Sequence, residues 1–196
     1  MNFTFEQAEG IEKQLFDSIS DLDDSFITVT QTFKPSLDLH RKDRSLERMR
    51  KVGSNIRKTC AHKDFRIRMN KLPFLIKDEL SNDGLGHCHT VIWTEEILKK
   101  GININYFRNV MNGLWSAPFE EYKHSKWDRL ENNIIAPTVG YLKTDLPYAG
   151  TEKTLLRYQT KFTYGSKVVG VAYHPSEALK NKVDSLKELD CILQRN

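Results

Sequence analysis

The chain has 196 residues, of which 39% are hydrophobic and 29% are charged, and Gly and Pro are sparse. This length and composition are typical of one ordinary folded domain and exclude a fibrous or disordered chain. No run of eighteen apolar residues and no signal-peptide pattern occurs, so we expect a cytoplasmic protein with no membrane partner. Three scattered cysteines, Cys60, Cys88 and Cys191, favour reduced thiols over a disulfide framework or a structural zinc site.

The net charge of +4 is unevenly distributed along the chain. Residues 1–40 carry a net charge of −6, whereas residues 41–72 carry twelve Lys or Arg against three acids, a net +9. Such a basic block is typical of a surface that meets phosphates, although a solvated helix face has the same composition. The side chains that we expect to contact DNA are Arg41, Arg44, Arg48 and Lys51.

Hydrophobic spacing predicts the first elements in chain order. Apolar residues at steps of three and four predict an amphipathic helix over residues 5–20, and β-branched and aromatic residues predict a strand over 26–33. The basic segment from 41 to about 59 again has helical spacing. Two strand-like runs at 73–80 and 87–93, separated by the turn-rich SNDGLG, predict a hairpin.

The second half of the chain continues this mixture of helices and strands. The predicted elements are a helix over 94–115 with a break near Gly101, a second helix over 119–130, a strand over 132–141, a helix from Thr151 to about Phe162, a strand over 166–173 and a helix from Pro175. Together these elements predict an α+β fold, with a central antiparallel sheet of about five strands flanked by helices. We expect the sheet to be ferredoxin-like or RRM-like and to form a single domain over residues 1–196.

A pair of histidines interrupts the apolar strand HCHTVIW. His87 and His89 are two residues apart, so on a strand both imidazoles face the same side and can hold one divalent metal ion. Two histidines that merely pack or form hydrogen bonds are the alternative. Glu79, at the end of the preceding strand, would bring a carboxylate to the same face, although a register error of one residue would exchange it for Asp78.

A tyrosine and a lysine stand three residues apart in TEKTLLRYQTKF. On a helix Tyr158 and Lys161 share a face and can reach the same phosphate, where the ammonium group would stabilise the negative charge. An amphipathic helix with an incidental tyrosine at its edge is the alternative. Tyr141 is the rival candidate for a nucleophile, with Lys143 two residues away.

Taken in order, three segments resemble the motifs of the HUH endonucleases, in particular the single-tyrosine rolling-circle replication initiators of small phages and plasmids. FITVTQTF is similar to the first motif, a core strand. IKDELSNDGLGHCHTVIW resembles the second, an acid followed by a histidine–hydrophobic–histidine triplet, with Cys88 in the hydrophobic place. LLRYQTKF resembles the third, a tyrosine helix with a lysine three residues on. The resemblance spans residues 26–173, but these short segments alone carry it.

The resemblance implies an enzyme that nicks and rejoins one strand of DNA at a replication origin. His87, His89 and Glu79 would bind one Mg²⁺ or Mn²⁺. Tyr158 would attack the phosphate, with Lys161 beside it, and would keep the 5′-phosphate of the DNA in covalent linkage. The implied partners are single-stranded or origin hairpin DNA and a host helicase or other replication proteins, in the cytoplasm of a bacterial or archaeal host.

Other functions fit the sequence less well. A histidine-triad hydrolase needs a third alternating histidine where Val91 stands, and a two-histidine phosphoesterase needs two His-x-Ser/Thr motifs, of which only residues 174–176 qualify. A non-catalytic nucleic-acid-binding module of similar fold would use the basic block 41–72 and aromatic rings for binding, and would not need both histidines. A transposase of related chemistry also matches the motifs.

Overall fold

A computed structural model describes residues 4–22, 25–33, 41–81, 85–115, 141–147 and 150–187 of the chain. The helices are α1 Phe5–Ile19, α2 Ser45–Cys60, α3 Glu95–Lys99, α4 Ile104–Trp115, α5 Glu152–Thr160 and α6 Glu177–Lys180. The strands are β1 Phe26–Thr32, β2 Phe74–Leu80, β3 Gly86–Trp93, β4 Tyr141–Asp145, β5 Thr163–Tyr164, β6 Lys167–Val168 and β7 Gly170–Pro175.

Five strands form one antiparallel sheet in the order β4-β1-β3-β2-β7. The described elements from β1 to β4 follow the ferredoxin-like succession of strand, helix, two strands, a helical part and a strand. Here α3 and α4 together form the second helical part, and β3 is the central strand of the sheet. β7 then adds a fifth strand beside β2, while β5 and β6 form a separate small hairpin. The predicted α+β fold with a central antiparallel sheet is therefore confirmed.

Helices cover both faces of the sheet, because successive residues of each strand point to opposite sides. One face packs against α2 and α4, and its buried side chains include Ile27, Val29, Val52, Ile56, Ile76, Cys88, Ile92, Phe107 and Met111. The other face packs against α1 and α5, and its buried side chains include Ala8, Leu15, Ile19, Phe26, Leu75, Val91, Trp93 and Leu156. We call these the α2/α4 face and the α1/α5 face.

Local sequence explains where the first helices begin and end. Thr4 and Gln7 form a reciprocal capping box at the start of α1, so the free N–H groups of its first turn are satisfied. The predicted break near Gly101 separates α3 from α4, and Gly101 has a φ of 68° that other residues rarely adopt. The predicted hairpin of β2 and β3 is also present, with seven residues of each strand in register.

Three predicted boundaries differ from the structure. The helix that carries Tyr158 ends at Thr160, two residues earlier than expected, because Lys161 has extended backbone angles. The strand expected over 166–173 is split into two. The first part, β6, pairs with β5 in the small hairpin, and the second part, β7, belongs to the five-stranded sheet. Pro175 ends β7, and Ser176 caps the following helix through its side chain.

The remaining elements of the prediction fall partly beyond what the structure describes. The helix expected over 119–130 lies outside the described residues, and the strand expected over 132–141 is described only from Tyr141, where β4 begins. Among the described residues, none of the helices combines the length and apolar character needed to cross a bilayer.

Candidate metal centre

The β2–β3 register brings the predicted metal ligands together. Glu79 lies directly opposite His87, and Lys77 lies directly opposite His89. Opposite residues of an antiparallel pair project to the same side of the sheet, here the α1/α5 face. Glu79 and the two histidines are therefore neighbours, as the spacing predicted, and Asp78 points to the other face.

The distances within this cluster suit a single ion. Oε1 of Glu79 lies 3.5 Å from Nε2 of His87, and Oε2 of Glu79 lies 3.5 Å from Nε2 of His89. One donor atom from each of the three residues lies within 4.8 Å of the others. Because ligands bind such ions at ~2.1 Å, small side-chain rotations would bring all three atoms onto one ion. Two imidazoles and one carboxylate are a donor set that suits a divalent metal.

Neighbouring polar groups orient the histidine at the centre of the cluster. Oγ1 of Thr30, on β1, lies 3.2 Å from Nδ1 of His89, so Nε2 of that ring faces Glu79. Such a hydrogen bond to the far ring nitrogen is common for histidines that bind metals. The Gln159 side chain, near the end of α5, also adjoins His89.

The electrostatics keep His89 and Glu79 in the forms that bind metals. Burial and then the positive charge of Lys77 lower the pKa of His89 to about 3, so its imidazole is neutral at neutral pH. Burial alone would raise the pKa of Glu79, but the contact with His87 and the charge of Lys77 lower it to about 2. Glu79 is therefore a carboxylate over the whole physiological range.

Lys77 is a member of the site that the sequence analysis missed. Its side chain is 2% exposed, and its Nζ lies 2.6 Å from Oε2 of Glu79. Burial lowers the pKa of this lysine, and the charge of Glu79 opposes the shift. The period of two along β2 was the available signal, because Lys77 and Glu79 are two residues apart and share a face.

Tyr158 lies beside the cluster. Its ring meets the His89 ring edge-on, with 6.0 Å between the ring centroids and 83° between the planes. Tyr158 is 57% exposed, and the helix α5 that carries it is anchored on the α1/α5 face by the buried Leu156. The tyrosine predicted as the nucleophile therefore combines a position next to a candidate metal ligand with access from solvent.

Lys161 follows the end of α5 rather than continuing it. Its backbone N–H donates to the carbonyl oxygen of Tyr158 at 3.3 Å, and its Nζ lies 5.7 Å from the centre of the Tyr164 ring. The expectation that Lys161 shares a helical face with Tyr158 is therefore wrong, because the helix has already ended at Thr160. Its charge remains close enough to the cluster to contribute to the lowered pKa of Lys77.

The rival tyrosine, Tyr141, lies at the start of β4, the edge strand of the sheet. Tyr141 pairs with Thr32 on β1, and Thr32 pairs with His87 on β3. Two strand spacings, about 10 Å, therefore separate the backbones of Tyr141 and His87. We favour Tyr158, whose ring is in contact with His89.

The prediction that Arg48 contacts DNA is wrong. Arg48 is 0% exposed, and its Nε and Nη2 each donate a 2.6 Å hydrogen bond to the two carboxylate oxygens of Asp78. It also donates to the carbonyl of Arg41, and the Cys88 thiol adds a contact to Asp78 at 3.5 Å. This buried two-point ion pair has a structural role between α2 and β2, because no phosphate can reach a side chain without exposed surface.

The other predicted DNA contacts lie across the sheet from the cluster, since α2 covers the α2/α4 face. Arg41 is exposed and lies 3.5 Å from Asp43, while the half-buried Arg44 forms a 2.7 Å ion pair with Glu47. Lys51 is half-buried. The exposed cations of this helix are Arg50, Arg57 and Lys58.

Comparisons of the chain with protein-family models, with curated proteins and with solved structures found no match. The function proposed below therefore depends on the geometry of the site.

Proposed function

We propose that the protein is a metal-dependent DNA-nicking and strand-joining enzyme of the HUH type, which acts through a covalent phosphotyrosine. The observation that carries this proposal is the Tyr158 ring against His89, within a cluster of one carboxylate and two imidazoles on the face of a ferredoxin-like sheet. A purely binding module has no need for this combination of nucleophile and metal ligands. We expect Mg²⁺ or Mn²⁺ rather than a softer metal, because the substrate is a phosphodiester.

The proposed reaction is a transesterification at phosphorus. Oη of Tyr158 attacks the scissile phosphate, the bond from phosphorus to the 3′-oxygen breaks, and the 3′-oxygen leaves with a proton as a free hydroxyl. A divalent ion held by Glu79, His87 and His89 would withdraw charge from the non-bridging phosphate oxygens. The 5′-phosphate stays on Tyr158, so the reverse attack by a 3′-hydroxyl rejoins the strands without an external energy source.

Features beside the tyrosine favour single-stranded DNA as the substrate. Tyr158 and Tyr164 are 57% and 59% exposed, and Lys161 stands between them in the chain with its Nζ over the Tyr164 ring. Exposed rings on which bases stack, combined with cations that meet phosphates, are the usual means of binding single strands. The exposed cations of α2 lie across the sheet and offer a second, sequence-independent contact to flanking or hairpin DNA.

We propose origin nicking in phage or plasmid replication as the biological setting, with a host helicase or other replication proteins as partners. A transposase of the same class would use the same chemistry at the end of a mobile element. The DNA sequence that is cut distinguishes the two settings.

The test uses single-stranded fragments tiled across the DNA that surrounds the coding sequence, labelled at either end. With Mn²⁺ we expect a 3′-labelled fragment to become attached to the protein in denaturing gels, and a 5′-labelled fragment to be released with a 3′-hydroxyl. Tyr158→Phe removes only the hydroxyl, so adduct formation should fall by at least about 1000-fold while DNA binding persists.

Tyr141→Phe is the matched control and should form adducts at the normal rate. A nucleotide found by mass spectrometry on the peptide with Tyr141 would contradict the assignment of Tyr158 but would leave the chemistry intact. Binding of the fragments without any adduct, at every Mn²⁺ concentration, would instead identify a non-catalytic nucleic-acid-binding module.

A further inference from the structure

A buried ammonium group connects the candidate metal centre to the tyrosine helix. Nζ of Lys77 donates one hydrogen bond to Oε2 of Glu79 and another to the backbone carbonyl of Lys161, each 2.6 Å long. The side chain is 2% exposed, so these contacts replace the water that a charged amine otherwise requires. The Lys77 ammonium is therefore held in one position by a carboxylate on one side and a carbonyl on the other.

The carbonyl that Lys77 binds belongs to the end of α5. The last carbonyl groups of a helix lack partners within the helix and carry a partial negative charge, which a cation stabilises. Lys161 follows the last helical residue, Thr160, and its N–H in turn donates to the carbonyl of Tyr158. The ammonium thus binds the same turn of chain that carries the proposed nucleophile.

A second contact holds the chain just after this turn. Oε2 of Glu12, on α1, accepts hydrogen bonds from the backbone N–H groups of Phe162 and Thr163 and from the Thr163 hydroxyl, at 3.0 to 3.2 Å. Glu12 connects the segment to α1 and not to the metal ligands. Lys77, by contrast, hydrogen-bonds both a candidate metal ligand and the chain at the end of α5.

We propose that Lys77 is a positioning residue that holds the end of the Tyr158 helix at a set distance from the Glu79 carboxylate. This inference rests on the proposed function, because the distance matters only if Tyr158 attacks a phosphate bound at the metal centre. Lys77 does not touch the substrate, since its side chain is buried. It keeps the nucleophile and the metal ligands in register, and a displacement of about 1 Å costs on the order of 100-fold in rate.

Loss of the Lys77 ammonium should affect the placement of Tyr158 without weakening metal binding. Lys77 is not a metal ligand, and its positive charge beside Glu79 repels a divalent ion. Replacing it with methionine, which has similar length and no charge, should leave Mn²⁺ affinity unchanged or increased. The same change should release the end of α5 and reduce the rate of attack by Tyr158.

The experiment compares Lys77→Met with wild type in three measurements. Mn²⁺ affinity is measured by electron paramagnetic resonance without DNA, and the rate of adduct formation is measured in single turnover at saturating Mn²⁺ and DNA. Amide hydrogen exchange is followed in the peptide that covers residues 157–164. We expect unchanged or tighter Mn²⁺ binding, about 100-fold slower adduct formation and faster exchange in that peptide.

Lys100→Met is the matched control. Lys100 also donates to two backbone carbonyls, those of Phe65 and Arg66, but Phe65 packs in the core of the α2/α4 face, across the sheet from the candidate metal centre. This variant should leave all three measurements as in wild type. Lys77→Arg retains donors for both contacts, so it should recover adduct formation in part, whereas a role limited to filling space would predict no such recovery.

Several outcomes would overturn the inference. A normal adduct rate or normal exchange in Lys77→Met would show that the contact to Lys161 has no positioning role. Loss of Mn²⁺ affinity in proportion to the loss of rate would show that Lys77 acts through Glu79 alone. If wild type forms no adduct, the proposed function fails, while the exchange measurement still decides whether Lys77 holds the end of α5.

Should Lys77→Met not fold, the comparison passes to Lys77→Arg and Lys77→Gln, the second of which is shorter and uncharged. At equal Mn²⁺ occupancy we expect the arginine variant to form adducts faster than the glutamine variant. Equal rates would contradict the inference.

Discussion

The same two strands, β2 and β3, build two different clusters on their opposite faces. On the α2/α4 face Asp78 forms a two-point ion pair with Arg48, and both side chains are 0% exposed. On the α1/α5 face Glu79 meets His87 and His89 at 3.5 Å, and its side chain is 19% exposed. Asp78 and Glu79 are adjacent in the sequence, yet the first lies in a buried ion pair and the second lies in a partly exposed cluster with two histidines.

The difference shows that coverage and hydrogen-bond saturation, not residue type, separate a structural acid from a candidate ligand. Both oxygens of Asp78 are occupied by charged donors at 2.6 Å, which leaves no position for an ion. Oε2 of Glu79 also accepts a bond from Lys77 at 2.6 Å, but each oxygen of Glu79 lies 3.5 Å from an imidazole nitrogen, and that distance leaves room for a metal. Changes to the Arg48–Asp78 pair should therefore affect folding, and changes to the cluster of Glu79 and the two histidines should affect ion binding.

The largest effect on stability is expected for Arg48→Met. This change leaves the charge of Asp78 buried without its partner, and such changes cost about 3–5 kcal/mol of the free energy of unfolding. Chemical denaturation measures the loss. Arg44→Met removes a partly exposed ion pair with Glu47 and should cost at most ~0.5 kcal/mol. The double change Arg48→Met with Asp78→Leu should restore much of the stability, and no recovery would argue against a buried charge as the cause.

The next effect concerns the α1/α5 face and should appear only when metal is added. An ion that binds the folded state alone stabilises it by about 2.7 kcal/mol at 100 times its dissociation constant. We expect Mn²⁺ to raise the melting temperature of wild type but not of His87→Ala, whose own stability without metal should change little because His87 is half-buried. His62→Ala is the control, since His62 lies outside the cluster. Equal shifts in all three proteins would argue against the site.

The last comparison is between Gly86, which lies against Arg48, and Gly53, which lies within α2. A Cβ on Gly86 would lie 2.1 Å from Cζ of Arg48, so Gly86→Ala should displace the guanidinium from Asp78 and cost about 1–3 kcal/mol. A Cβ on Gly53, within α2, meets no atom within 4 Å, and Gly53→Ala should stabilise the protein by ~0.5–1 kcal/mol. Thermal unfolding distinguishes the two, and similar shifts would show that β3 moves away from Arg48 at little cost.

The sequence by itself determined the features that depend on local periodicity. A period of two placed His87 and His89 on one face, and helical spacing predicted α1 and most of α2. Turn-forming residues located the β2–β3 hairpin and the break at Gly101, because such residues permit backbone angles that others avoid. The sequence also favoured Glu79 over Asp78 as the third ligand, because the register of a hairpin determines which residue of one strand faces the histidines of the other.

Only the tertiary structure decided which contacts form between distant segments. Spacing along α2 gave Arg48 and Lys51 the same basic character, and the packing of that helix on the sheet buried the first against Asp78. Lys77 resembled an ordinary strand cation until α5 was placed above β2 and β3, where the Lys161 carbonyl accepts its hydrogen bond across 84 residues of chain. Local patterns specify which face of a strand or helix a side chain lies on. What covers that face depends on how the helices pack on the sheet, and this packing brings together residues that are far apart in the sequence.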